Sequence, residues 1–117
     1  MKYILIIFSF LLMSCSDNTD SSNWGHVKFD KILWQSDVAK RKSMLNNLIS
    51  TYDITEYSRN DFEALVGESD TYYLYDEFAA YLLSKTEECL VYFPTNRETG
   101  KIKSLSIYPE GCIDDIK

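Results

Sequence analysis

The chain reads as an α+β fold, with two N-terminal helices packed on one face of a three- to four-stranded antiparallel meander. Three observations predict it. Apolar residues recur at helical spacing between Val38 and Tyr52. Ser58, with Asp61 three residues on, opens a second and shorter helical stretch. After Asp70 the pattern changes to short β-prone runs broken by turn residues. Helices followed by strands, rather than alternating with them, argue α+β.

Each element follows from local chemistry. WGHVKFDKILW (24–34) is aromatic-rich without helical periodicity over its length, so Phe29, Ile32 and Trp34 are expected to drape over the core as a lead-in segment. Ser36 or Asp37 can cap a helix over 37–51, with Val38, Leu45, Leu48 and Tyr52 on one face, Met44 and Ile49 widening it, and Lys40, Arg41 and Lys42 facing outward. Ser58 caps a helix over 59–66, Asp61 puts a carboxylate in its first turn, and Gly67 stops it. Tyrosine-rich YYLY (72–75), FAAYLL (78–83), CLVYF (89–93) and IKSLSIY (102–108) are the strand candidates. KTEE (85–88) and NRETG (96–100) are the turns between the later runs.

The first 23 residues stand apart from this domain. Lys2 precedes YILIIFSFLLM (3–13), eleven uncharged residues of which ten are apolar. A membrane span needs roughly 20 apolar residues, whereas this run has the size of a signal-peptide core. Leu12-Met13-Ser14-Cys15 then resembles the lipobox of bacterial lipoproteins: aliphatic, variable, small, Cys. The resemblance implies cleavage between Ser14 and Cys15 and a thioether-linked diacylglycerol on Cys15. Each buried CH₂ of a lipid chain adds about 0.8 kcal/mol of membrane affinity, so several chains anchor stably where one does not. SDNTDSSN (16–23) is polar throughout and serves as a tether with a reach of roughly 15 Å. The expected organisation is a signal peptide over 1–14, a lipidated cysteine and tether over 15–23, and one domain over 24–117. By resemblance to enterobacterial sorting patterns, Ser16 after the cysteine favours the periplasmic face of the outer membrane.

Composition narrows the partners. The formal net charge is −6, and loss of Lys2 with the signal makes it −7. An acidic balance disfavours nucleic acid, whose phosphates demand clustered Lys and Arg. The short run Lys40-Arg41-Lys42 is better read as the solvated face of a helix. With Cys15 assigned to lipid, Cys89 and Cys112 remain. They can pair in an oxidising compartment, or stand as free thiols with Cys89 a small core hydrophobe. The signal Pro109-Glu110-Gly111 would fold Cys112 back.

The element order also resembles the small envelope lipoproteins of the SmpA/OmlA type, whose helix-helix-strand unit is shared with the β-lactamase-inhibitor-protein fold. The residues that carry the resemblance are FDKILW, RKSMLNNLI, SRNDFEALVGESD, YLL and LVYF…GKIKSLSI, from Phe29 to about Tyr108. The strongest part is Leu65-Val66-Gly67-Glu68-Ser69-Asp70, with Ser69 where the family pattern has Pro. The resemblance implies a fold and an accessory role in envelope assembly. It supplies no catalytic residues, and one fold hosts many functions.

The sequence offers little for chemistry. His26 is the one histidine and lies between tether and domain, where surface or packing roles predominate. CxxC, HExxH and phosphate-cradling glycine motifs do not occur in the sequence. The carboxylate pairs Asp76-Glu77, Glu87-Glu88 and Asp114-Asp115 are adjacent, so on a strand they point to opposite faces, and they read as solvated turns and an acidic tail. Tyr72, Tyr73, Tyr75 and Tyr81 crowd one stretch. Tyrosine gives contact area at low entropic cost and marks partner surfaces, but it is also β-prone and packs in cores. The expectation is a lipid-anchored, non-enzymatic protein-binding or assembly-accessory module of the cell envelope, without cofactor or metal. The alternative is an inhibitor or immunity protein directed at a secreted enzyme or toxin.

Overall fold

In a computed structural model describing residues 21–73 and 77–116, the chain forms a mixed α+β fold; among these residues there are four α-helices and one three-stranded antiparallel sheet. The helices are α1 (Lys31–Ser36), α2 (Arg41–Thr51), α3 (Arg59–Val66) and α4 (Cys112–Asp115). The strands are β1 (Ala79–Leu82), β2 (Leu90–Phe93) and β3 (Ser106–Tyr108), hydrogen-bonded in the order β1-β2-β3. No helix among the described residues is long and apolar enough to cross a membrane.

Helix α1 departs from the draped lead-in expected for 24–34. The Asp30 side chain accepts from the Leu33 N–H at 3.0 Å and starts a helix only six residues long. So short a helix shows no repeat of the apolar spacing; the cap was its one legible signal. Trp34 is buried and Phe29 packs on the core, while Ile32 is 76% exposed. Helix α2 begins later than expected, because a 3₁₀ turn (Val38–Lys40) takes the first residues of the 37–51 stretch. Its buried stripe is Met44, Leu45 and Leu48, with Ile49 only partly covered. Arg41 corrects the expectation of an outward basic run, since it is buried. Helix α3 lies where its cap and stop place it. The Ser58 Oγ accepts from the Asp61 N–H at 3.1 Å, and Gly67 leaves the helix at φ 121°, a conformation glycine tolerates and side chains resist.

The sheet is shorter than the strand-prone sequence suggests. Tyr72 and Tyr73 lie outside the strands. The residues just before them are engaged elsewhere: the Asp70 N–H donates to Ala80 O at 3.2 Å, so 67–70 runs along β1 and the chain must then turn across the sheet. Only Ser106–Tyr108 of the expected 102–108 strand pairs with β2. Ile102 donates instead to Tyr57 O at 2.9 Å and bridges Thr95, which ties the hairpin loop to the approach of α3. The final residues form α4 rather than a free acidic tail, with Ile113 and Ile116 buried.

One face of the sheet holds the core. Tyr81, Val91 and Phe93 lie on it, each wholly buried. Trp34 of α1 meets Tyr81 edge-on at 5.5 Å, and Phe62 of α3 meets Phe93 at 4.5 Å. Such ring pairs add about 0.5–1.5 kcal/mol each beyond the area they bury.

Candidate functional site

The free edge of β1 is closed by the exit from α3. In an antiparallel ladder, alternate residues turn their N–H and C=O away from the neighbouring strand. On β1 these are Ala80 and Leu82. The Ala80 N–H donates to Ser69 Oγ at 3.0 Å and the Leu82 N–H to Asp70 Oδ1 at 2.9 Å. The Ala80 carbonyl accepts from Asp70, and the Leu82 carbonyl accepts from Arg41 Nη1 at 3.0 Å. All four edge groups are therefore satisfied without another strand.

Arg41 ties this clamp to the helices. Its Nε donates to Trp34 O at 2.7 Å, its Nη1 meets Asp70 Oδ2 at 2.6 Å, and its guanidinium lies 5.3 Å from the Trp34 ring centre. A planar, permanently charged fork can satisfy two carbonyls and a carboxylate at once, which a lysine cannot. Ser69 Oγ donates to Glu63 Oε2 at 2.6 Å, and the same oxygen accepts from Arg59 Nε at 3.2 Å. The Tyr81 hydroxyl donates to Gly67 O at 2.6 Å. Burial, reinforced by the Glu63 carboxylate, pushes that hydroxyl well above the usual tyrosine range. Tyr81 is thus a core residue that anchors the clamp, which corrects its expected place on a partner surface.

The opposite edge is blunted differently. The same ladder phase leaves Ile107 as the residue of β3 whose backbone faces outward. The strand is three residues long and runs into Pro109, which has no N–H to offer. Beyond it, the Cys112 N–H donates to Pro109 O at 3.0 Å, with Gly111 at φ 82° and ψ −6° as the third residue of a type II turn. The turn folds Cys112 back to Cys89, and the two are joined in a disulfide with Cα atoms 5.7 Å apart.

The face of the sheet turned away from the core carries the tyrosines. Tyr92 of β2 points there, and Tyr73 stacks on it with ring centres 3.9 Å apart and planes 18° from parallel. Phe78 lies nearly parallel to Tyr92 at 6.1 Å, and Tyr108 of β3 meets Tyr73 at 5.2 Å. A hydrogen bond with Tyr92 raises the Tyr73 hydroxyl above its ordinary proton affinity. Tyr108 is 42% exposed, so the layer opens to solvent there, and Tyr72, next to Tyr73 in sequence, is 69% exposed. The stretch 72–81 therefore divides: Tyr73 belongs to this layer, Tyr81 to the core, and Tyr72 lies exposed at the rim of a cleft beside them. Tyr92 and Tyr108 join the layer although far away in sequence. Their alternation with Val91 and Ile107 was the signal available for them, but it cannot say which face a helix will cover. Ser14, Cys15 and Tyr75 lie outside the described residues.

Negative charge is concentrated in one part of the sequence. From Asp53 to Glu77 the sequence has eight acidic residues and one basic, Arg59. An open cleft of about 330 Å³ is lined by Arg59, Glu63, Glu68, Ser69, Asp70, Thr71 and, at its rim, Tyr72. Asp70 and Glu63 are partnered by Arg41 and Arg59, whereas Glu68 is exposed and forms no ion pair among the described residues. Glu77 faces Arg97 at 3.7 Å in a pair that solvent reaches freely. His26 is exposed beside a separate shallow cleft with Asn46, Asn47 and Ser50. Among the described residues no group of three or more His, Cys, Asp or Glu is placed to hold a metal ion. No family model, curated protein or solved structure matches the chain.

Proposed function

We propose that the protein is a lipid-anchored, non-enzymatic protein-binding module of the cell envelope, held to the membrane through Cys15 and serving an envelope assembly. The single observation that carries the binding role is the tyrosine layer on the outer face of the sheet, Tyr73 on Tyr92 with Tyr108 open to solvent and the exposed Tyr72 next to Tyr73 in the chain. Large, stiff, amphipathic rings grouped on one exposed face are the side chains that dominate protein interfaces. The anchor rests on Leu12-Met13-Ser14-Cys15 and the polar tether after it. The closed β1 edge and the short β3 edge favour docking on a face over strand addition. The architecture that suits this role has the two main helices on the core side of a meander, which leaves the tyrosine side for a partner, as the likeness to SmpA/OmlA lipoproteins implies.

Two experiments test it. Cys15→Ser should abolish lipid labelling and release the protein from membranes; unchanged fractionation with an unlabelled wild type refutes the anchor. Crosslinking in detergent through a photoreactive residue at Tyr72 or Tyr108 should trap one reproducible envelope protein; the absence of any such adduct refutes the binding role. The concentration of acid over Asp53 to Glu77 favours a second reading, an inhibitor or immunity protein that fills a cationic cleft on a secreted enzyme or toxin. Neutralisation of a toxin encoded beside it would support that reading over an assembly role.

A further inference from the structure

We infer that the tyrosine layer takes a Lys/Arg-rich segment of a partner protein, laid across the outer face of the sheet with its cations over Tyr73 and Tyr108 and, at the rim of the acidic cleft, Tyr72. The inference rests on the protein-binding role proposed above and names the chemistry of the partner. Three observations converge on it. First, the rings are stacked and partly open, so they present π faces and hydroxyl oxygens, both of which attract guanidinium and ammonium groups. Second, Tyr73 of the layer follows directly on Tyr72, which lines the rim of the acidic cleft, and the cleft includes Glu68, exposed and without an ion pair among the described residues. Glu77, next to Phe78 in sequence, adds a carboxylate whose contact with Arg97 is long and solvated, so it can exchange partners. Third, the sheet edges disfavour an added strand: β1 is satisfied by Ser69, Asp70 and Arg41, and β3 is short and ends at Pro109. A basic segment is thus steered by charge to a face where the rings provide the close contacts. Phosphate-bearing partners are repelled by the same charge.

The test titrates the full chain in neutral detergent with labelled decapeptides of alternating Arg and Ser, Glu and Ser, or Gly and Ser, and with vesicles containing anionic lipid. The basic peptide alone should bind, and its affinity should fall roughly tenfold between low and high salt. Tyr72→Ala with Tyr108→Ala should weaken binding by roughly tenfold, and Glu68→Gln by a smaller factor. Lys40→Gln, on exposed α2-proximal surface, should leave it unchanged. Circular dichroism of each variant separates lost binding from lost folding. Binding that is untouched by the tyrosine changes, or preference for the acidic peptide or the vesicles, overturns the inference. The crosslinked partner supplies the distinction from the broader role: an adduct through Tyr72 or Tyr108 whose contact segment is not basic refutes this inference while leaving the protein-binding role standing, and no adduct refutes both.

Discussion

The two faces of the sheet are both aromatic, yet they are built on different terms. On the core face, Tyr81 and Phe93 meet Trp34 and Phe62 at tilted or edge-on angles, and all four are fully buried. On the outer face, Tyr73, Tyr92 and Phe78 lie nearly parallel, and the layer stays partly open at Tyr108. Edge-on rings interlock with helices arriving from several directions, and a sealed core results. Parallel rings spread over a pleated surface bury one side of each ring and leave the other for solvent or a partner. Ring content alone therefore does not separate core from interface; what separates them is whether a helix closes over the face.

The largest test of that contrast is Trp34→Ala. Removing this wholly buried ring should cost about 3–5 kcal/mol. For a domain of this size that lowers Tm by roughly 15–30 °C. Tyr108→Ala on the outer face should change stability by only about 0.5 kcal/mol. Equal losses in thermal melts would erase the difference between the faces.

The disulfide comes next. It joins Cys89 of the core to Cys112 across 23 positions, so it holds α4 against the sheet. The double change Cys89→Ser with Cys112→Ser should destabilise by about 3 kcal/mol through loss of the unfolded-state constraint. Urea denaturation with and without reductant should show the wild type falling to the level of the variant; an unresponsive wild type would mean that α4 is held by Ile113 and Ile116 alone.

Arg41→Met keeps bulk but strips donors from the Trp34 and Leu82 carbonyls and from Asp70. An expected loss of about 2–3 kcal/mol follows from the unsatisfied groups. It should be accompanied by concentration-dependent association as the β1 edge loosens, measurable by size-exclusion chromatography. A destabilised variant that stays monomeric at all concentrations would show that Ser69 and Asp70 suffice to close the edge.

Tyr81→Phe is the smallest of the set. It removes one hydroxyl-to-carbonyl hydrogen bond and should cost about 1 kcal/mol at neutral pH. Its signature lies in alkali. Burial keeps the native Tyr81 hydroxyl protonated beyond the ordinary value of 10.0, so above that pH the unfolded chain releases a proton that the folded chain retains. The stability from this group is complete below the ordinary value and is lost as pH rises past it. The wild type should therefore weaken more steeply than Tyr81→Phe above about pH 10; parallel alkaline limbs would place the titration elsewhere.

Local chemistry made part of this legible. Ser58, Asp61 and Gly67 define α3 because a cap, a first-turn acid and a glycine stop at positive φ act within a few bonds of the helix. The strands β1 and β2 follow from their β-prone runs for the same reason, and Pro109 with Gly111 marks the turn that returns Cys112. Residues 3–13 form an apolar run too short to span a membrane, with Ser14, Cys15 and a polar stretch directly after it, and the proposed anchor rests on that local pattern. Tertiary structure decided what depends on distant partners. Arg41 reads as one more cation in a basic run, and only the meeting of α1, β1 and the 67–70 exit supplies the two carbonyls and the carboxylate that draw it inside. Tyr73 and Tyr81 are the same residue type within nine positions, and their opposite fates are set by which side of the sheet α1 and α3 cover. Burial and hydrogen-bond partnership are properties of assembled neighbours, and a linear pattern specifies them only where those neighbours are close along the chain.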